Sequence, residues 1–117
     1  MNTNIKDYIV SIGNVEWNPL TEEGVDTKGI FIKVLRFDEA QKRPPSFILK
    51  FESAAKYPYH NHPGGEELFI IEGSCIIEDV TLNKGDYLYT PPNFKHSVRA
   101  DTGCEIMFIV PEEVQIL

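Results

Sequence analysis

The chain has only three histidines, and two of them stand in the stretch HNHPGGEE, residues 60–67. Side chains alternate across an extended strand, so His60 and His62 share one face and Asn61 takes the other. Pro58 and Pro63 bracket the stretch and favour extended backbone on either side. Two imidazoles one pleat repeat apart can reach a common cation at about 2.1 Å. Pro63-Gly64-Gly65 then reverses the chain, with glycine free to take positive φ. Glu66 opens the next apolar run and shares parity with Leu68 and Ile70, whereas Glu67 goes with Phe69 and Ile71. Glu66 is therefore the expected acidic ligand.

The third histidine, His96, lies in PPNFKHSVRA. A barrel that brings its strand beside HNH closes a site of three imidazoles and one carboxylate. Such a set leaves one or two coordination positions open. Mixed nitrogen and oxygen donors suit iron, zinc, manganese, nickel or copper as the divalent ion. Thiolate pairs of the kind that close structural zinc sites are missing. Each piece alone is ordinary: an HxH pattern is common by chance, and a double glycine makes a turn in many β proteins. The information lies in their conjunction. No separate acid or base stands out, and Tyr59, Tyr87 and Tyr89 read as barrel packing. By parity with the ligands, the expected pocket walls are Leu68, Ile70 and Val98, with Phe94, Met107 and Phe108 as further candidates. Phe47, Leu49 and Phe51 are candidates from the adjoining strand. Walls of this kind imply a small, mostly apolar ligand with a chelating head.

These residues need strands to position them, and the pattern supplies strands throughout. GIFIKVLRF (29–37) is rich in β-branched and aromatic residues, and SFILKFE (46–52) alternates with period two. Between them DEAQKRPP reads as a proline-ended loop. ELFIIE (67–72) and SCIIEDV (74–80) flank Gly73 as the arms of a hairpin or a bend would. NKG (83–85) reads as a turn, and DYLYTPP, HSVRA and CEIMFIV as three further strands. No segment keeps a helical period over ten residues. Short strands at roughly ten-residue spacing predict an all-β sandwich or barrel. One domain over 1–117 is expected, with 29–110 as the barrel core and 1–28 as an irregular arm.

Composition narrows the function classes. Acidic and basic residues are interspersed, the formal net charge is −7, and there is no Lys/Arg run. Nucleic acid is not an expected partner, because its binding rests on phosphate neutralisation. No segment is apolar for the roughly 18 residues a membrane helix needs, and MNTNIKDYIV does not read as a signal peptide. A cytoplasmic location and no membrane partner are the expectations. Cys75 and Cys104 are too few for a disulfide framework and are expected to be buried free thiols.

The two histidine-bearing stretches resemble the paired motifs of the cupin superfamily. The first runs roughly G-x5-H-x-H-x3/4-E-x6-G, and His60, His62, Glu66 and Gly73 match it, with Ala54 in place of the opening glycine. The second runs roughly G-x5-P-x-G-x2-H-x3-N, and Gly85, Pro91 and His96 match it. Asn93 stands for its second glycine, a residue that also accepts left-handed backbone, and Ala100 for its terminal asparagine. The stretch HPGGEELFIIEG is similar to cupin domains of the ChrR anti-sigma type and of small dicarbonyl-cleaving dioxygenases. The resemblance implies a double-stranded β-helix, the cupin jelly-roll barrel of two antiparallel sheets, with the metal inside its mouth. It implies a homodimer with exchanged N-terminal arms. It points to a small-molecule ligand and to oxidoreductase chemistry of the dioxygenase kind. A non-catalytic metal-dependent sensor is the alternative, and a metal that only fastens the strands is a third. A direct anti-sigma role is not expected, because the chain has no room for the separate domain that role uses.

Overall fold

A computed structural model describes residues 1–117, which form ten strands in two curled antiparallel sheets. The strands are β1 (Asn18–Pro19), β2 (Ile30–Asp38), β3 (Arg43–Phe51), β4 (Lys56–His62) and β5 (Glu66–Ile77). They continue with β6 (Val80–Asn83), β7 (Tyr87–Thr90), β8 (Phe94–Arg99), β9 (Cys104–Ile109) and β10 (Gln115–Ile116). One sheet runs β1-β2-β3-β9-β5-β7 and the other β6-β5-β8-β4-β10. The two are joined because β5 belongs to both. Its residues up to Gly73 pair with β9 and β7, and those from Ser74 pair with β6 and β8. This is the jelly roll that the motif resemblance implies, and it agrees with the all-β sandwich or barrel expected from the strand pattern.

Gly73 is the corner at which β5 changes sheets. Of the two expectations for this residue, the bend is correct and the hairpin is not. Its φ is +72°, and a Cβ there would run into the carbonyl oxygen of Gly103, the residue just before β9. Glycine supplies both the backbone angle and the close approach. The hairpin falls further on, at Glu78-Asp79, where two successive positive φ angles link β5 to β6. That is the geometry of a two-residue turn between twisted strands. Residues 74–80 are therefore not one strand. The turn lacks the Asn-Gly pair that marks such a reversal in a sequence.

The proline-ended loop is also shorter than its composition suggests, since β3 begins at Arg43 and includes Pro44 and Pro45. Pairing with β2 shifts register between Arg36 and Asp38, opposite the two prolines. A bulge asks no ladder donor of them, which is where a strand tolerates proline.

The core lies between the sheets. Ile30, Leu49, Phe51, Leu68, Ile70, Ile77, Val98, Ile106 and Phe108 are all buried there. Cys75 and Cys104 are free and buried among them. The arm covers part of the outer surface: Lys33 Nζ donates to the Ile12 carbonyl at 3.0 Å, and Trp17 lies under the ammonium groups of Lys33 and Lys50. Residues 1–14 bury nothing, so Ile5, Tyr8, Ile9, Val10 and Ile12 stay exposed. No helix is long and apolar enough to cross a membrane.

Candidate metal centre

β4 and β8 are antiparallel neighbours, and His60 sits directly opposite His96 in their register. His62 follows on the same face of β4, while Asn61 points away and hydrogen-bonds Asn93 and Gln115 at 3.2 and 2.9 Å. The turn after β4 closes through Gly65 N–H donating to the His62 carbonyl at 3.1 Å. Gly65 has φ +79°, and its α-carbon face packs on the Thr90 carbonyl, where a Cβ would lie 2.9 Å from the oxygen. The same His62 carbonyl accepts from Asn93 N–H at 2.7 Å. Asn93 has φ +70°, so the residue that replaces a motif glycine keeps the glycine's backbone. Both turns thus hang on one carbonyl, and this sets His62, Glu66 and His96 relative to one another.

Four donor groups converge as a result. His60 Nε2 is 2.9 Å from His62 Nε2, which is 3.1 Å from His96 Nε2. Glu66 places Oε2 2.9 Å from His62 Nε2 and Oε1 3.3 Å from His96 Nε2. All four residues are at most 3 % exposed, and one ligand atom from each lies within 4.8 Å of every other. Adjacent ligands about 2.1 Å from a shared ion at right angles would stand about 3 Å apart. The observed spacings match that figure. Without a cation, facing imidazole nitrogens must share protons or repel, and Glu66 Oε1 is left buried with no hydrogen bond. The donor set therefore fits a divalent ion.

The electrostatics agree. Burial, more than the neighbouring imidazoles, lowers the His60 pKa to about 4, so its ring is neutral and its nitrogen lone pair available. Its Nδ1 lies 2.6 Å from the Pro58 carbonyl, which leaves Nε2 as the ligand atom. Burial by itself would push the Glu66 carboxyl up, but the facing His62 and His96 rings outweigh it and keep the group below the ordinary carboxylate range. Glu67 points the other way and accepts from Tyr87 Oη at 2.6 Å.

The centre opens into a cavity of about 630 Å³. Val98 and Phe108 line it, as do Phe47, Leu49 and Phe51 of β3, with Phe47 stacked on Phe108 at 5.4 Å. Leu68 and Ile70 face inward but lie deeper along β5, sealed in the core. Met107 alternates with Phe108 and so sits on the opposite face of β9. Phe94 packs edge-on to His96 at 6.1 Å but is 43 % exposed and outside the cavity wall. The three tyrosines expected as barrel packing are on the surface instead. Tyr87 and Tyr89 follow the outward parity of Glu67 and Phe69, and Tyr59 sits in a bulge of β4.

That bulge brings in a residue the sequence pattern hides. Pairing of β4 with β8 slips between Tyr57 and His60, so two residues an odd number apart face the same interior. Tyr57 is buried edge-on to the His60 ring at 5.0 Å. Its hydroxyl donates to Glu22 Oε2 at 2.6 Å. Burial, with Glu22 adding to it, raises the Tyr57 pKa far enough to keep the phenol protonated. Leu20, Glu22 and Val25 of the arm and Val114 and Ile116 near the C-terminus complete the mouth. Nothing in the sequence around Glu22 marks it, because its place depends on where the arm crosses the barrel.

A jelly roll with three imidazoles and a carboxylate gathered in its mouth is the architecture of a cupin metal centre. The chain belongs to the ChrR Cupin-like domain family, whose model it matches over residues 5–115. It is 32% identical over 65 residues to the DNA damage-repair/toleration protein DRT102 of Arabidopsis thaliana. That match covers 50% of this chain but only 21% of the relative, so the chain spans about a fifth of its length. Among solved structures it is similar to a candidate acetylacetone dioxygenase from Methylibium petroleiphilum. The TM-score is 0.74 at 22% identity, covering 94% of this chain and 81% of the other. It is also similar to the polyketide cyclase RemF from Streptomyces resistomycificus, with a TM-score of 0.72 at 17% identity, covering 93% and 84%. At these identities the structural likeness establishes the fold.

Proposed function

We propose that the protein is a metal-dependent cupin enzyme that acts on a small chelating molecule, with dioxygenase-like cleavage of a dicarbonyl as its reaction. The observation that carries this reading is the convergence of His60, His62, Glu66 and His96 on one point at the floor of an apolar cavity. A centre that served only to fasten strands would be closed, whereas this one faces open volume. When bound there, Fe(II) supplies oxygen chemistry, and Zn(II) or Mn(II) supplies a Lewis acid. The protein's own part is positional. The Pro58 carbonyl holds the His60 ring, the imidazoles and the ionised Glu66 present their lone pairs, and Phe47, Leu49, Val98 and Phe108 exclude water around the ligand's apolar body. The likeness to a candidate acetylacetone dioxygenase supports the dicarbonyl reading. The likeness to a polyketide cyclase supports the Lewis-acid variant on the same scaffold.

We take the protein to be a cytoplasmic homodimer, in keeping with the exposed apolar side chains of Ile5, Ile9, Val10 and Ile12. Metal analysis of protein purified without added metal, followed by oxygen uptake with a panel of β-dicarbonyls, tests the enzyme reading. Oxygen consumption matched to substrate loss, and absent in His62→Ala, is the expected result. Tight ligand binding without turnover by the iron-loaded protein would instead make it a sensor.

A further inference from the structure

We infer that Glu22, held by Tyr57, is a specificity-determining residue, and that the cavity selects chelating ligands whose far end carries a hydrogen-bond donor or a positive charge. This rests on the metal-centre reading above and adds to it the chemistry of the ligand's other end. The polar groups of the cavity fall into two sets. On its floor, Glu66 is 97 % buried, with Oε1 making no hydrogen bond, beside the imidazoles. A ligand's chelating head belongs there. At the mouth the wall carries three carboxylates, Glu22, Glu23 and Glu113, against a single cation, Arg43. Arg43 directs one N–H to the Pro111 carbonyl at 3.2 Å and keeps its charge, so three carboxylates against one guanidinium leave the mouth at a net −2.

Glu22 is the best placed of the three carboxylates. It is half-buried, whereas Glu23 and Glu113 are exposed. Tyr57 bonds only its Oε2, and no group of the protein hydrogen-bonds its Oε1. The phenol's hydrogen bond to Oε2 orients the carboxylate and leaves the other oxygen for a ligand. The rest of the wall includes Leu20, Val25, Phe47 and Phe108, which suit an apolar ligand body. A ligand ending in a carboxylate would meet a like charge in a partly desolvated wall, where charge–charge energies exceed their value in water. A ligand ending in a hydroxyl or an ammonium group would instead complete Glu22.

The test uses zinc-loaded protein and three alkyl hydroxamates of equal chain length, ending in methyl, ammonium or carboxylate, titrated calorimetrically. The wild type should bind the ammonium form at least about tenfold more tightly than the carboxylate form. Glu22→Gln keeps the shape and removes the charge. It should bring that ratio to within about threefold. Tyr57→Phe should lower the ratio as well, because Oε2 loses its anchor. Equal binding of all three probes by the wild type, or a ratio that survives Glu22→Gln, would overturn the assignment while leaving the metal centre standing. If no hydroxamate binds at all, the metal-centre reading itself fails and this inference falls with it.

Discussion

Gly65→Ala is the substitution that asks most of the reasoning about how the turn sets the centre. Gly65 has φ +79°, and a methyl group there would sit 2.9 Å from the Thr90 carbonyl oxygen and 3.3 Å from the Pro92 nitrogen. Left-handed backbone costs a non-glycine residue about 1–2 kcal/mol. Forcing a methyl against backbone that cannot rotate away costs about 1–3 kcal/mol more. Alanine also restricts the unfolded chain, which returns about 0.4–1 kcal/mol. The net expectation is a loss of about 1–4.5 kcal/mol, a large share of the roughly 5–15 kcal/mol that holds a domain folded. Urea denaturation of the metal-free protein should show the midpoint falling with an unchanged slope. Since Glu66 follows directly and His62 anchors the same turn, zinc affinity should fall as well. Gly13→Ala is the control, because a Cβ there meets nothing within 4 Å and no positive φ is involved. A loss under about 1 kcal/mol for Gly65→Ala would refute the argument that this turn is tied to the β7–β8 connection by close backbone contact.

Three further outcomes follow from the same geometry. His62→Ala removes the imidazole that contacts all three other ligands; elemental analysis should find most of the bound metal gone from a chain that still shows β-type circular dichroism, and full metal content would contradict the site. Ala54 holds φ +69° at a position where the motif has glycine, so Ala54→Gly should stabilise the protein by about 0.5–1 kcal/mol, the relief of left-handed strain less the added freedom of the unfolded chain. A lower thermal midpoint would show that no strain is stored there. His60 has its pKa lowered from 6.5 to about 4 by burial. Between those values the unfolded chain binds a proton that the folded metal-free chain does not. Stability should therefore be full above pH 6.5 and fall by about 3 kcal/mol as the pH drops to about 4. Urea midpoints across that range should record the loss, and His60→Gln, which cannot titrate, should remove most of the slope.

The difference between what could and could not be read from the residues follows the range of the information. His60, His62 and Glu66 were legible because period-two alternation and a Pro-Gly-Gly turn operate within eight residues. His96 was legible because its own strand and turn repeat that local logic. Parity also separated Glu66 from Glu67. Parity could not have found Tyr57, because a bulge inserts a residue and reverses every face before it. It failed for Leu68 and Ile70 in a different way. Facing inward is a local property, whereas lining a cavity depends on how far along the barrel the opposite sheet closes. The break at Gly73 was visible, but whether the chain reverses or only turns a corner there depends on the approach of Gly103, just before β9 and far along the chain.

Taken alone, then, the amino-acid sequence determined the strands, their inward faces and the four donor groups, since each rests on side-chain alternation and turn chemistry over a few neighbours. Tertiary structure decided that the donors meet at spacings suited to one ion, that an arm carries Glu22 to Tyr57, and that an apolar cavity stands open above them. Those features arise where distant segments pack against each other, and no periodicity within a single segment encodes that contact.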